Sequence, residues 1–394
     1  MNKRPLKVCI ATPEFPPASW GGLARSVGRT AGYLKKSGLE VQVAHFVFEN
    51  RRDILLDENR HSEHCRGVRV HRIHLGRESM PATGREIWDC PHDLTLQMMY
   101  QSLELLHLEE RFDFFQSYFL YPVGYVTGLL AARHGLPTAA ALVGNDVKKY
   151  LFSPEKAALC RSGLENADRV VCLSRELLEL ANALTPIRAK ARVIYNSVQL
   201  PAEGRSHGHV GKPPFRIGAA GIFKYAKGLP YLFKAVADLR SRLPVVLELR
   251  GEVRPSERRG FHDWIEKTGI RDLVRLEPPL PHEDVFTWLK TLDVFVLSSV
   301  SEGCPNILME AMSVGLPCVA ARVGAVEDLM VDGVDGRVVP WGRTRDISDA
   351  VEDILTRPDR GESLGRSARE RMKAFSPQRE WAAWDALYRE MLDF

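Results

Sequence analysis

Glu302 and Glu310 stand eight positions apart in S-E-G-C-P-N-I-L-M-E-A-M, residues 301–312, on either side of a Gly-x-Pro turn. The run before it, L-D-V-F-V-L-S at 292–298, has the length and residue types of a buried strand, and 306–314 is rich in helix formers. The segment therefore reads as strand, turn and helix. Pro305 suits the first helical position, where no backbone donor is needed, and Cys304 before it is a poor capping residue. First-turn amides without a side-chain acceptor invite an anion, most often phosphate. Glu302 precedes the helix, beside where the anion would lie, whereas Glu310 is about 7 to 8 Å farther along the axis at ~1.5 Å per residue. Ile307, Leu308, Ala311 and Met312 form an apolar stripe with Glu310 at its edge, a position from which it can reach a cleft. Two carboxylates repel a phosphate unless they accept hydrogen bonds from hydroxyls. A nucleotide sugar, with phosphates flanked by two polyols, meets that need.

The same residues carry a family resemblance. S-E-G-C-P-N-I-L-M-E-A-M, followed by G-L-P-C-V-A and V-D-G-V-D-G, resembles the E-x7-E signature of the retaining glycosyltransferases of family 4, glycosyl transferases group 1. The resemblance implies that Glu302 contacts donor-sugar hydroxyls, that Glu310 binds the nucleotide ribose, and that Gly303, Cys304, Pro305, Asn306 and Ile307 hold the diphosphate. The plain alternative is a solvated helix with two unrelated surface acids.

The elements that position these residues fall into two similar α/β halves. A strand at 6–12 leads through a Pro-rich loop, 13–18, to Gly21-Gly22 and a helix with Leu23, Val27, Ala31 and Leu34 on one face; Gly38 closes it and 40–48 is the next strand. Later a strand at 215–219, a loop at 220–228 and a helix at 229–239 lead to a strand at 245–249. Such alternation gives parallel sheets with ligands at the strands' carboxyl ends. Residues 199–214, rich in Gly, Pro and Ser, read as a linker. The expected organisation is 1–198, an N-terminal acceptor-side Rossmann-like domain; the linker 199–214; 215–375, a C-terminal nucleotide-sugar domain; and 376–394, a helix crossing back to the first domain. The fold class is α/β, and the resemblance implies GT-B, two Rossmann-like domains facing across a cleft.

Length and composition agree. A chain of 394 residues exceeds a usual single core. A net charge of +4 argues for no nucleic-acid partner. The seven cysteines are odd in number and scattered, with Cys9, Cys172 and Cys318 in apolar runs, which suits buried thiols in the cytoplasm. Lys7 and Pro13 leave the first apolar run too short for a signal peptide, and no stretch reaches the ~20 apolar residues of a membrane span.

Further segments extend the resemblance over nearly the whole chain. G-I-F-K-Y-A-K-G, 221–228, resembles the family's G-R-x-x-x-x-K-G loop, whose Arg and Lys offset charge growing on the leaving diphosphate. Lys227 matches directly; Ile222 stands where the Arg is usual, and Lys224 is the candidate substitute, without the bidentate fork of an Arg. Gly21 and Gly22 resemble the first Gly-rich loop, which approaches donor phosphates or acceptor. R-V-I-Y-N-S-V, 192–198, resembles the strand before the linker, with a structural role. In the first half, Gln116, Tyr118 and Val143 occupy positions where the family commonly has histidines; Asp146 remains as a residue that could orient the acceptor hydroxyl, or else caps an Asx turn with Asn145. Front-side retention lets the departing phosphate take the acceptor proton, so catalysis does not require those histidines.

Other constellations are weaker. His61, His64, Cys65, His71 and His74 have irregular spacing and no Cys-x-x-Cys, so no metal site is expected, and no Asp-x-Asp is present to hold a divalent ion. G-A-A-G at 218–221 lacks the third glycine of a dinucleotide fingerprint. The Arg-rich stretch 51–77 and the aromatic segment 88–118 read as a solvated face and a core helix, although basic and apolar surface also suits peripheral membrane contact with a lipid-linked acceptor. Taken together, the residues point to a metal-independent enzyme without a cofactor. It would move a sugar from a UDP- or GDP-sugar to a glycan or lipid-linked acceptor in polysaccharide or glycoconjugate assembly. The competing readings are a catalytically silent nucleotide-sugar-binding partner and a GT-B epimerase.

Overall fold

A computed structural model describes residues 4–17, 21–49, 54–76, 91–204 and 213–392. Two compact units divide the chain, one of Met1–Ile194 with Trp381–Phe394 and one of Tyr195–Glu380. The stretch read as a linker, 199–214, falls in the second, and its residues 205–212 lie outside the described ones, as do 51–53, 77 and 88–90 of the Arg-rich and aromatic segments.

In the first unit the strands are β1 (Lys7–Thr12), β2 (Glu40–Glu49), β3 (Arg60–Cys65), β4 (Val68–Gly76), β5 (Phe114–Tyr118), β6 (Thr138–Leu142), β7 (Arg169–Cys172) and β8 (Ala191–Val193). They form one sheet in the order β3-β4-β2-β1-β5-β6-β7-β8, parallel except for the β3–β4 pair. Continuous apolar runs such as K-V-C-I-A-T suit strands covered on both faces. One face packs Val8, Ile10, Val27, Leu34 and Tyr118, the other Cys9, Ala11, Phe46, Leu103 and Phe115. The helix Gly22–Lys36 buries Ala24, Val27, Ala31 and Leu34, and Gly38 follows it at φ 84°, a left-handed conformation that a side chain would resist. Trp384, Leu387 and Tyr388 of the helix Pro377–Leu392 belong to the first of these two cores.

The second unit contains β9 (Phe215–Phe223), β10 (Val245–Val253), β11 (Val274–Glu277), β12 (Val294–Leu297), β13 (Cys318–Ala321) and β14 (Arg337–Val339). All pair in parallel, in the order β11-β10-β9-β12-β13-β14. The order reverses between β9 and β12, and a parallel α/β sheet opens a crevice at the carboxyl ends beside such a reversal. One expectation needs correcting. Residues 220–228 read as a loop in the sequence, but β9 runs on to Phe223 and β10 to Val253 in continuous register. Gly221 and Gly251, at φ 138° and 144°, let the two backbones approach where a Cβ on Gly251 would overlap the Gly221 carbonyl. The loop proper is therefore only Lys224–Gly228, closed by the short 3-10 turn Tyr225–Lys227.

Candidate active site

Both halves of the expected chemistry meet at that reversal. Strand β12 ends at Leu297, and the helix Asn306–Ser313 begins nine residues later. Pro305 stands one position earlier than expected: it is the N-cap, with ψ 100°, and its carbonyl accepts from Leu308 N at 3.1 Å and Met309 N at 3.3 Å. No side chain caps this helix and no acid lies in its first turn, which leaves the positive end of the helix dipole without a counter-charge from its own first turn.

Lys227 arrives from the end of β9. Gly228 after it has φ 64°, and a Cβ there would overlap the Ser298 carbonyl, so a glycine is needed to seat the loop against the end of β12. Gly221 lets the Lys227 side chain lie over the strand end, Nζ being 3.7 Å from where a Cβ would stand. The ammonium then donates to Glu302 Oε1 at 2.7 Å, with the two side chains 20% and 13% exposed. Two serines fix this pair. Ser299 Oγ donates to the same carboxylate oxygen at 2.6 Å, and Ser298 Oγ donates to the Lys227 carbonyl at 3.0 Å. An ion pair this enclosed, with each partner tied to the backbone or a hydroxyl, is held in one geometry, and its Coulomb attraction exceeds that of a surface pair.

Glu310 lies within the same helix. Only 5% of it is exposed, less than a position at the edge of the apolar stripe suggests, and the half-exposed His282 places Nδ1 3.8 Å from its carboxylate. Asn306 Oδ1 is buried without a hydrogen-bond partner among the described residues. Lys224 precedes the turn in extended backbone and its carbonyl accepts from Lys227 N at 2.8 Å, while Ile222 beside it is 42% exposed. Glu302, Gly303, Cys304, Pro305, Asn306, Ile307, Glu310, Lys224 and Lys227 thus all belong to the carboxyl-end loops of β9 and β12 and the helix that follows.

A cation, two carboxylates and an open helix start can bind a phosphorylated polyol, and comparison with known proteins gives the family. The glycosyl transferases group 1 family matches residues 204–371, and the glycosyl transferase 4-like domain matches residues 21–197. The chain belongs to the family 4 type of GT-B glycosyltransferases. It is 26% identical to a D-inositol 3-phosphate glycosyltransferase of Paenarthrobacter aurescens over 94% of this chain and 93% of that one. In fold it is similar to a sucrose-phosphate synthase from Thermosynechococcus elongatus, with TM-score 0.79 and 20% identity over 98% and 99% of the two chains. It is also similar to Anabaena HepE in complex with UDP-glucose, with TM-score 0.77 and 15% identity over 98% and 100%.

In the first unit of this glycosyltransferase the candidate residues are furnished differently. Gly21 is the N-cap of the helix Gly22–Lys36, again with no side-chain cap and no acid in the first turn, and Glu14 brings a carboxylate oxygen within 2.9 Å of where a Gly21 Cβ would stand. Gln116 and Tyr118 are fully buried. Gln116 Nε2 donates to the Ser117 carbonyl at 3.1 Å and its Oε1 accepts from Tyr388 at 3.3 Å; Tyr118 shares a 2.5 Å hydrogen bond with Thr30. Val143 packs on the core. Asp146 is the second residue of the one-turn helix Asn145–Lys148, and its side chain lies outside the described residues. In the histidine-bearing hairpin His71 bonds Ser62 at 2.8 Å and Gln42 of β2 at 2.6 Å, and His74 pairs with Glu49 of β2. Among the described residues no three His, Cys, Asp or Glu side chains are grouped to hold a metal ion, and no helix is long and apolar enough to cross a membrane.

Sequence reasoning missed Ser298, Ser299 and Asn196. A serine after a buried strand is ordinary turn composition, so only the fold assigns these three their partners.

Proposed function

We propose that this glycosyltransferase moves a sugar from a nucleotide diphosphate donor, a UDP- or GDP-sugar, to an acceptor hydroxyl with retention of anomeric configuration. The observation that carries the reading is the Lys227–Glu302 pair at 2.7 Å beside the uncapped start of the helix Asn306–Ser313. In this reading the turn and helix start from Gly303 to Ile307, through every backbone amide but that of Pro305, bind the diphosphate, Lys227 and Lys224 offset its growing charge, Glu302 accepts from a sugar hydroxyl, and Glu310 accepts from the ribose. As the bond from the anomeric carbon to the phosphate oxygen breaks, the acceptor oxygen bonds that carbon on the same face. The acceptor proton passes to the departing diphosphate, and Asp146 orients the acceptor hydroxyl. With lysines and amides supplying the positive charge, the step needs neither a metal ion nor a cofactor. The UDP-glucose held by Anabaena HepE supports a nucleotide-sugar donor. The acceptor is a glycan or lipid-linked sugar in surface polysaccharide or glycoconjugate assembly, met in the cytoplasm or at the inner membrane face.

The test is a panel of nucleotide sugars with wild type and Glu310→Ala, with EDTA and no added metal, reading thermal shift and nucleoside diphosphate release. One donor should stabilise the wild type and release its diphosphate, and both responses should vanish in the variant. Stabilisation without release, even with acceptors present, would instead identify a silent nucleotide-sugar-binding protein, and no response to any donor would refute the donor class.

A further inference from the structure

Pro305 has no N–H, so the Cys304–Pro305 peptide offers an acceptor and no donor. Were its carbonyl turned toward a bound diphosphate, its negative end would face the phosphate oxygens. The fold holds it elsewhere. Asn196, 4% exposed, donates from Nδ2 to the Cys304 carbonyl at 3.3 Å. The preceding peptide is held too: Gly303 O accepts from Ala325 N at 2.8 Å, and Gly324, at φ 59°, leaves so little room that a Cβ would stand 2.5 Å from Gly303 O and 2.6 Å from Glu302 O. In a trans peptide the C=O and N–H point opposite ways, so fixing Gly303 O against Ala325 turns the Cys304 N–H to the other side. Asn196 is itself anchored through its neighbours. Ser197 donates from N to Glu380 Oε2 at 3.1 Å and from Oγ to the same oxygen; Val198 N donates to Phe375 O at 3.0 Å; and the Tyr195 and Phe375 rings meet edge-on at 5.5 Å.

We infer that Asn196 is a positioning residue that keeps the Cys304 carbonyl averted so that the turn 303–305 presents only donors to the donor diphosphate. The inference rests on the proposed nucleotide-sugar reading and adds to it a residue of the segment 192–198, to which the sequence assigned only a structural role. Its role is electrostatic as much as steric: an averted carbonyl removes a repulsive dipole from the anion, and the effect should scale with the number of phosphates.

Calorimetric titration of the full chain with UDP and UMP, and with GDP and GMP, tests it on wild type, Asn196→Ala and Asn196→Ser. The diphosphate that wild type binds should lose about tenfold or more in affinity in Asn196→Ala, the loss expected when a carbonyl dipole is free to face the anion, with the monophosphate changing less than about threefold. Asn196→Ser, which keeps a shorter donor, should fall between them. Equal losses for mono- and diphosphate would mean a general packing role and overturn the inference, as would unchanged diphosphate affinity. Wild type binding neither diphosphate would remove the nucleotide-sugar reading itself, and the inference with it.

Discussion

At the carboxyl ends of β9 and β12 the chain places Lys227, Glu302, Ser298 and Ser299 in one bonded group. At the matching reversal of the first sheet, between β1 and β5, it places Thr30, Gln116, Ser117 and Tyr118, all buried and none charged. One strand order thus carries two kinds of polar interior. Topology determines where a crevice can open, whereas the side chains at the strand ends determine whether it holds charge toward a ligand or closes on itself. In the first unit the hydroxyl of Tyr118 is engaged by Thr30 and the amide of Gln116 by Ser117 and Tyr388.

The largest effect that would sharpen this contrast is on turnover. Lys227→Ala and Glu302→Ala should each lower transfer by about 100-fold or more, since each removes transition-state charge compensation or leaves its partner unpaired, whereas Tyr118→Phe should stay within about threefold of wild type. Steady-state release of nucleoside diphosphate measures all three, and a Tyr118→Phe loss as deep as that of Lys227→Ala would erase the contrast. On stability the ranking reverses. Trp384, 1% exposed and stacked on Tyr388 at 5.6 Å, should cost about 3 to 5 kcal/mol as Trp384→Ala in urea unfolding, while Lys227→Ala should cost far less. A smaller effect is expected for Ser299→Ala: about tenfold in kcat with little change in melting temperature, because Lys227 still holds Glu302.

The mildest prediction concerns acid. Burial, and then the charge of Arg72, lowers His45 to about 4; burial, and then Arg69, lowers His71 to about 4. Both belong to the first unit, and unfolding restores them to an ordinary value near 6.5. Between those values the unfolded chain binds protons that the folded one refuses, so stability is intact above pH 6.5 and falls as the pH drops toward 4, by at most about 1.4 kcal/mol per unit per histidine. His71→Gln should flatten that slope in urea titrations at stepped pH; an unchanged slope would place the acid sensitivity elsewhere.

Much of this was legible in the sequence, for identifiable reasons. Glu302 and Glu310 are spaced by a Gly-x-Pro turn and the helix after it, and Lys227-Gly228 are set by a backbone conformation that glycine alone adopts easily, so both leave a signature in residue types. The full length of β9 was hidden because glycines and a lysine at its end read as loop, although its partner β10 holds it in register to Phe223. Asn196, Ser298 and Ser299 were hidden for a different reason. Asn196 and Ser298 act on groups far away in sequence and Ser299 on the nearby Glu302, and nothing in the local pattern tells a hydroxyl or amide with such a partner from one facing water. Likewise the family resemblance at Gln116 and Tyr118 reveals only which residue type is replaced; that they are core groups follows from Thr30 and Tyr388 reaching them from two helices.

The apolar group of Trp384, Leu387 and Tyr388 in the first unit's core has a consequence for biosynthesis. The ribosome makes Met1–Ile194 first, then the whole of Tyr195–Glu380, and only then the helical turns that fill that core. At ~5–20 residues per second the nascent first unit waits on the order of 10 to 40 s with an open apolar face, while the second unit, whose span is continuous, can close as soon as it emerges. The half of the enzyme that is translated first is therefore the half that must finish folding last, and the interval in which it needs protection from aggregation is set by the length of its neighbour.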